Sequence, residues 1–290
     1  IETASQVSDF CKARKSVSHK SKSVPQAAVL LSYETQMSRS NAVFISTGKM
    51  VDVKGALHTL LDLNYSADVM AEHQLQPRLE EFPLVVIADS YKLSDSFRDS
   101  LLKYVENGGS LLILSEKAAR IFEPALGVKF EGEPGHVAAE LASSLGPVNC
   151  NGVWQRVSLT TAQAAGYRHP TRDTRKDGEI AAVINNYGRG KIAAVFGTFA
   201  ENYSNGHHPY MRRFAGDIIE KLFPNPAVKL DKPACVDISL RKTADGKLSL
   251  HMLNMTSVPR GDSHLVLDSL PPVGPIAVEM KVDKKPKSVR

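Results

Sequence analysis

Leu84-Val85-Val86-Ile87-Ala88 and Ser110-Leu111-Leu112-Ile113-Leu114, with the segment between them, decide the fold. Neither run alternates apolar with polar residues, which is how a strand reads when both of its faces are covered. Between them Ser94 stands where a helix N-cap belongs, and Phe97, Leu101, Leu102 and Val105 follow at helical spacing. Asn107-Gly108-Gly109 then stop the helix with residues that tolerate positive φ. Strand, helix and strand with links this short imply a right-handed crossover in a parallel sheet.

Working outward, residues 27–32 (Ala-Ala-Val-Leu-Leu-Ser) read as another buried strand just after Pro25. Val53, Ala56, Leu57, Leu60, Leu61 and Leu63 predict an amphipathic helix over 52–63, and 67–70 a second short strand. Beyond residue 125 the rhythm changes. Residues 126–175 are rich in Gly, Pro, Thr and Arg and predict mostly loops and short strands, with one short helix at 135–144. Residues 179–185 and 191–197, joined through Tyr187-Gly188-Arg189-Gly190, predict a hairpin. Met211, Phe214, Ala215, Ile218, Ile219 and Leu222 share one face of a helix over 208–223.

Pro224-Asn225-Pro226 ends that helix, because proline cannot continue it. Residues 235–240 and 248–254 flank Asp245-Gly246 as strand, turn and strand, and 273–282 offers one more strand. The expected class is α/β, a parallel sheet with flanking helices followed by a small all-β domain over 225–290. Three strands are marginal for independent stability, and Ile1 to Phe10 reads as a helix without a partner. Both features lead us to expect a piece of something longer.

Composition excludes several classes. With 42% hydrophobic and 23% charged residues the chain can bury a real core. No stretch approaches a membrane-spanning length, and the polar opening Ile1-Glu2-Thr3-Ala4 carries no leader pattern. Cys11, Cys150 and Cys235 are odd in number and far apart, against a disulfide framework or a CxxC zinc site. The net charge of +5 sits in residues 12–22 and the last ten residues; without them the chain is acidic. A nucleic-acid protein concentrates positive charge on its folded face, so no nucleic-acid partner and no membrane is expected.

Open parallel sheets bind ligands at the carboxyl ends of their strands. There stand Tyr33-Glu34-Thr35, Asp89-Ser90-Tyr91 and Ser115-Glu116-Lys117. No glycine-rich phosphate loop or dinucleotide fingerprint is present, so no cofactor is expected. Ser115 lies where a nucleophile elbow would, but positions 113 and 117 are Ile and Lys rather than glycine. The plainer reading is that Ser115 and Glu116 cap the next helix. His207 and His208 are the best-placed general bases, though adjacent histidines before a proline are commonly helix-start residues. No H-E-x-x-H or second histidine cluster completes a metal site.

Arg168, His169, Arg172, Asp173, Arg175, Lys176 and Asp177 form a dense polar stretch that could bind an anion or meet another chain. Its plainer reading is a solvated loop with ion pairs worth little each. Trp154 with Tyr167 is a weak sugar platform, so Trp154, Tyr167, Arg168 and His169 are the substrate-binding candidates. Glycoside hydrolysis needs two carboxyls at fixed separation, and the scattered acids single out no pair.

The order of elements resembles a known family. Pro25-Gln26-Ala27-Ala28-Val29-Leu30-Leu31, the helix with Gly55-Ala56-Leu57-His58, and Leu84-Val85-Val86-Ile87-Ala88 are similar to the beta-galactosidase trimerisation domain. So are the helix-and-glycine stretch Leu101-Leu102-Lys103-Tyr104-Val105-Glu106-Asn107-Gly108-Gly109-Ser110, the Tyr187-Gly188-Arg189-Gly190-Lys191 hairpin and His251-Met252-Leu253-Asn254-Met255-Thr256. That domain has the flavodoxin-like, class I glutamine amidotransferase-like fold and follows the barrel in family 42 and related glycoside hydrolases.

The resemblance implies three parts: 1–24 as the last helix and exit linker of a catalytic barrel, 25–224 as the amidotransferase-like domain, and 225–290 as a β-sandwich-like domain. In active amidotransferases the strand matching 110–114 leads into a cysteine, with a His-x-Glu pair later; here stand Ser115-Glu116-Lys117 and His208-Pro209-Tyr210. The departure implies a non-catalytic accessory and oligomerisation role, with the barrel, further copies of the chain and, in the parent enzyme, carbohydrate as partners. Two other readings remain: a hydrolase using Ser115 or Glu116 with His208, and a stand-alone sugar-binding protein.

Overall fold

The computed structural model describes residues 2–24, 26–39, 50–231, 235–256, 269–282 and 284–289. Helix α1 (Glu2–Ser18) and the two-residue strand β1 (Lys22–Ser23) come first. The α/β body then runs β2 (Ala27–Leu31), α2 (Tyr33–Arg39), α3 (Val51–Asp62), β3 (Ala67–Ala71), α4 (Glu72–Leu75), a 3-10 helix (Gln76–Glu81) and β4 (Leu84–Ile87). It continues with α5 (Asp95–Glu106), β5 (Ser110–Ile113), α6 (Glu116–Arg120) and α7 (Glu123–Leu126).

A run of strands follows: β6 (Val128–Val137), β7 (Glu140–Ser143), β8 (Gly146–Asn149), β9 (Gly152–Leu159), β10 (Gln163–His169), β11 (Glu179–Tyr187) and β12 (Gly190–Val195). Helices α8 (Phe199–Gly206) and α9 (Pro209–Leu222) close the body, and β13 (Val228–Leu230), β14 (Val236–Lys242), β15 (Leu248–Asn254) and β16 (Val278–Met280) complete the chain.

The fold is mixed α/β. Its main sheet has nine strands in the order β3-β2-β4-β5-β12-β11-β10-β7-β8. β2, β3, β4, β5 and β12 pair in parallel, and the buried apolar residues of β2 and β4 read as strands of such a sheet do. From β11 onward the pairing is antiparallel, so the expectation of a parallel sheet holds for one side only. Successive residues of the parallel strands enter two cores. Val29, Val86 and Leu112 pack with α3, α8 and α9 on one face. Leu30, Ile87 and Ile113 pack with Phe97, Leu101 and Phe122 on the other.

The helices form as their residues dictate. Ser94 Oγ accepts from the N–H of Phe97 at 3.3 Å and caps α5. The next turns bury Phe97, Leu101, Tyr104 and Val105; Tyr104 takes the place expected of Leu102 and donates its hydroxyl to the Phe82 carbonyl at 2.7 Å. Gly108, at φ 114°, carries the chain out of the helix. Gly55 is required for close approach: a Cβ there would lie 1.8 Å from the Ala200 carbonyl oxygen, so only glycine lets α3 and α8 touch. α9 buries the six apolar residues whose spacing predicts it.

The stretch 126–175 departs furthest from expectation. It is built of strands, and the helix expected at 135–144 is instead the end of β6 and the strand β7. Exposed positions interrupt these strands so often that no period-2 signal survives; β6 keeps one buried residue in ten. The strand expected over 273–282 is confined to Val278–Met280 and pairs with β13, which no sequence signal marks. Among the described residues β1 joins β14 and β15 in one three-stranded sheet, in the order β1-β14-β15. Val228, Ile238 and Leu240 form a small third core, against which Val24 and Met280 pack.

Candidate functional site

The carboxyl ends of β4, β5 and β12 open into a cleft of about 460 Å³. Its walls come from the turns after those strands, from helices α3, α6 and α8, and from β6 and β9. β4 delivers Asp89, β5 delivers Ser115 to Lys117, and the turn after β12 delivers Gly197 and Thr198. Asp52 enters in the first turn of α3, Glu201 in the first turn of α8, and His136 and Asn151 from the antiparallel side.

Ser115 Oγ donates to Asp89 Oδ1 at 2.5 Å and accepts from the N–H groups of Lys117 (3.2 Å) and Ala118 (3.4 Å). It is therefore the N-cap of α6, as its residue type favours. Among the described residues no histidine nitrogen bonds it. Its φ of −161° and ψ of 141° are ordinary extended backbone, not the strained turn of a nucleophile elbow. Arg39 reaches across from α2, ion-paired with Asp89 and, at 3.2 Å, with Asp52.

Glu116 lies at the same point, only 4% exposed. Burial foremost holds its carboxyl above the usual range; its own backbone N–H opposes this, the Asp89 charge adds to it, and Lys117 and Asp52 act more weakly in opposite directions. Asp52 is likewise held high, by burial first and then by Asp89, with Arg39 opposing. His208 does not enter the cleft: it caps α9, its Nδ1 accepting from the Tyr210 N–H at 3.1 Å. His207 belongs to another cluster, with Nδ1 3.2 Å from Asp62 Oδ2 and Nε2 3.3 Å from His58 Nδ1. Tyr203 donates its hydroxyl to the same Asp62 oxygen at 2.6 Å. The Ser115, Glu116 and His208 candidates are thus divided between two places.

The sugar-platform candidates are divided too. Trp154 is a core residue, 2% exposed, with its indole N–H donating to the Cys150 carbonyl at 2.9 Å. Tyr167 is 45% exposed, so the two rings share no surface. Arg168 and His169, expected in a solvated stretch, are 7% and 5% exposed. Arg168 is ion-paired with Glu179 and its guanidinium lies 5.5 Å from the Trp154 ring centre; burial lowers its pKa. Only the continuation of the stretch is solvated, where Arg175 pairs with Asp173 at 2.7 Å.

Sequence reasoning finds Asp89 and Ser115 because they follow apolar strands. It misses Asp52, Glu201 and Arg39, which are ordinary helix-surface residues until the fold turns them inward. Among the described residues no group of three or more His, Cys, Asp or Glu side chains is arranged to hold a metal ion. None of the described helices is long and apolar enough to cross a membrane.

No protein-family model matches the sequence, and no curated protein matches it. Several glycoside hydrolases of solved structure have a similar fold. Alpha-L-fucosidase isoenzyme 2 from Paenibacillus thiaminolyticus superposes with a TM-score of 0.76 at 16% identity, over 95% of this chain and 44% of that one. A beta-galactosidase from Rahnella sp. R3 gives 0.67 at 16% identity, over 88% and 39%. A beta-galactosidase from Bacillus circulans sp. alkalophilus gives 0.61 at 15% identity, over 82% and 37%. The chain spans less than half the length of each. At these identities the likeness is one of fold.

Proposed function

We propose that this chain is the non-catalytic accessory and oligomerisation region of a larger, carbohydrate-acting glycoside hydrolase. The observation that carries the reading is an asymmetry: glycoside hydrolases match nearly all of this chain, while it spans under half of each of them. In this reading a catalytic barrel packs beside it, α1 and the linker to residue 24 join the two, and residues 25–224 form a class I glutamine amidotransferase-like domain of the trimerisation kind. Residues 225–290 are the β domain that follows.

The order of the parallel strands supports the finer assignment. Numbered along the chain they run 2-1-3-4-5, the flavodoxin-like order, with the cleft at the strand ends where such folds bind ligands. The state of Ser115 supports a non-catalytic role, since a serine nucleophile needs a base within hydrogen-bond reach and Ser115 faces a carboxylate held by Arg39. The hydrolase reading with Ser115, Glu116 and His208, and the sugar-platform reading with Trp154, Tyr167, Arg168 and His169, have no observation in their favour.

The test is activity together with gene context. The purified chain should release no nitrophenol from aryl fucosides or galactosides, and the reading frame upstream of Ile1 should encode eight βα units. Robust turnover by the chain, or a start codon close to Ile1, would overturn the proposal.

A further inference from the structure

The strand-end cleft carries an excess of carboxylates among the described residues. Asp52, Asp89, Glu116 and Glu201 line it, against Lys117 as the cation on its wall. Arg39 compensates Asp52 and Asp89 from one side. Glu116 has no such partner: it is only 4% exposed, lines the cleft, and accepts a hydrogen bond from no other described residue, only from its own backbone N–H. A carboxylate buried this way is costly unless something pairs with it.

The N-termini of α3 and α8 point their partial positive charge the same way. They offset part of the negative charge, but four carboxylates still line the cleft against Lys117 among the described residues. A cleft lined mainly by one sign of charge concentrates ligands of the opposite sign. The cation is not a bare metal ion by geometry, since no three of these side chains converge as ligands among the described residues.

We propose that this cleft binds a small organic cation, an ammonium group on a frame of monosaccharide size or smaller, with Glu116 as its charge partner. An ammonium offers three donors to a wall rich in acceptors, and a volume of about 460 Å³ admits such a frame. A failure here would leave the accessory reading standing, because that reading rests on fold coverage and not on the cleft.

The experiment is a titration of the whole chain followed by amide NMR signals of Gly152, Gly197 and Lys117, with matched probes. D-galactosamine and D-galactose differ in an ammonium for a hydroxyl; spermidine and calcium chloride are the further arms. Saturable binding of galactosamine or spermidine, at least about tenfold tighter than galactose, is the expected result. Glu116→Gln and, on the exposed rim, Glu201→Gln should each weaken it severalfold while leaving the unliganded spectrum folded. Four results would each overturn the proposal: equal affinity for galactose and galactosamine, tighter saturation by calcium alone, binding unchanged in both variants, or no binding by either amine.

Discussion

The parallel and antiparallel halves of the nine-stranded sheet treat polar groups in opposite ways. In the parallel half β4 and β5 are buried at every position, and the polar side chains wait at the strand ends, where Ser115, Asp89 and Arg39 satisfy one another. In the antiparallel half polar side chains enter the layer itself. Glu140 Oε2, Arg168 Nε and His169 Nδ1 are buried there without a hydrogen-bond partner. In the half covered on both faces most polarity sits at the strand ends, where Gln26 and Ser90 also lie buried without a partner, and Ser110 inside β5 donates to the Leu222 carbonyl at 2.8 Å. A sheet half open to solvent absorbs polarity and holds it by ion pairs.

That contrast should be largest in the cost of a cavity. Ile87→Ala in β4 removes a side chain with no exposure and should cost about 3–4 kcal/mol. Ile180→Ala in β11, a partly buried position, should cost about 1–2 kcal/mol because solvent and neighbours fill the gap. Urea midpoints of the two variants measure the difference; equal losses would show the halves to be packed alike.

A smaller effect should come from the buried ion pair. Arg168 has 8% of its side chain exposed, whereas Glu179 has 52%. Glu179→Gln therefore leaves a buried guanidinium without its counter-charge. Discounted for the solvent that already screens Glu179, the loss should be about 1–2 kcal/mol. Arg168→Met should recover most of it in the double variant, since the charge that needed pairing has gone.

Smaller again, and opposite in sign, is the change at the rim. Glu116 has a folded pKa above its unfolded one, so the folded state holds the proton more tightly and stability falls as pH rises through that interval. Glu116→Gln removes the penalty. In the absence of ligand the variant should be more stable than the parent at pH 7, by on the order of 1 kcal/mol or less. The gain should vanish below about pH 4, where the unfolded carboxyl is protonated as well. Thermal melts across pH 3.5–7.5 check it, and a gain that persists at the acid end would break the electrostatic account.

How much of this the sequence discloses follows the same division. Residues 84–88 and 111–114 announce themselves because strands covered on both faces read as near-continuous apolar runs. Ser94 and the α9 face are equally plain, since capping and helical spacing act within one turn. β6, β7 and β10 are hidden because their neighbours along the chain do not say which side solvent lies on. Half of the site shares that fate: Asp89 follows from its strand, but Asp52 and Glu201 depend on how α3 and α8 cross at Gly55. Trp154 misleads for the converse reason, as a large aromatic in a polar-looking segment that the fold turns inward.

The smallest effect should fall where neither half reaches. α1 has no buried residue, and Val7 and Phe10 are 57% and 56% exposed, with Arg14 stacked 3.6 Å over the Phe10 ring. A helix of 17 residues is marginal by itself in water, so its amides should exchange far faster than those of β14. Deleting residues 1–20 should change folding stability by no more than about 0.5 kcal/mol. Deleting four residues more should cost clearly more, because β1 pairs with β14, Val24 donates its N–H to the Leu240 carbonyl at 2.9 Å, and Arg241 donates to the Ser21 hydroxyl at 2.7 Å. The two truncations separate a structural role for α1 from a docking role. If α1 serves a neighbour rather than this fold, its loss leaves the melt unchanged and removes any weak self-association seen by light scattering over a tenfold concentration range. An oligomer that survives the shorter truncation puts the contact on the α/β body instead, and a large loss of stability from that truncation would return α1 to the fold.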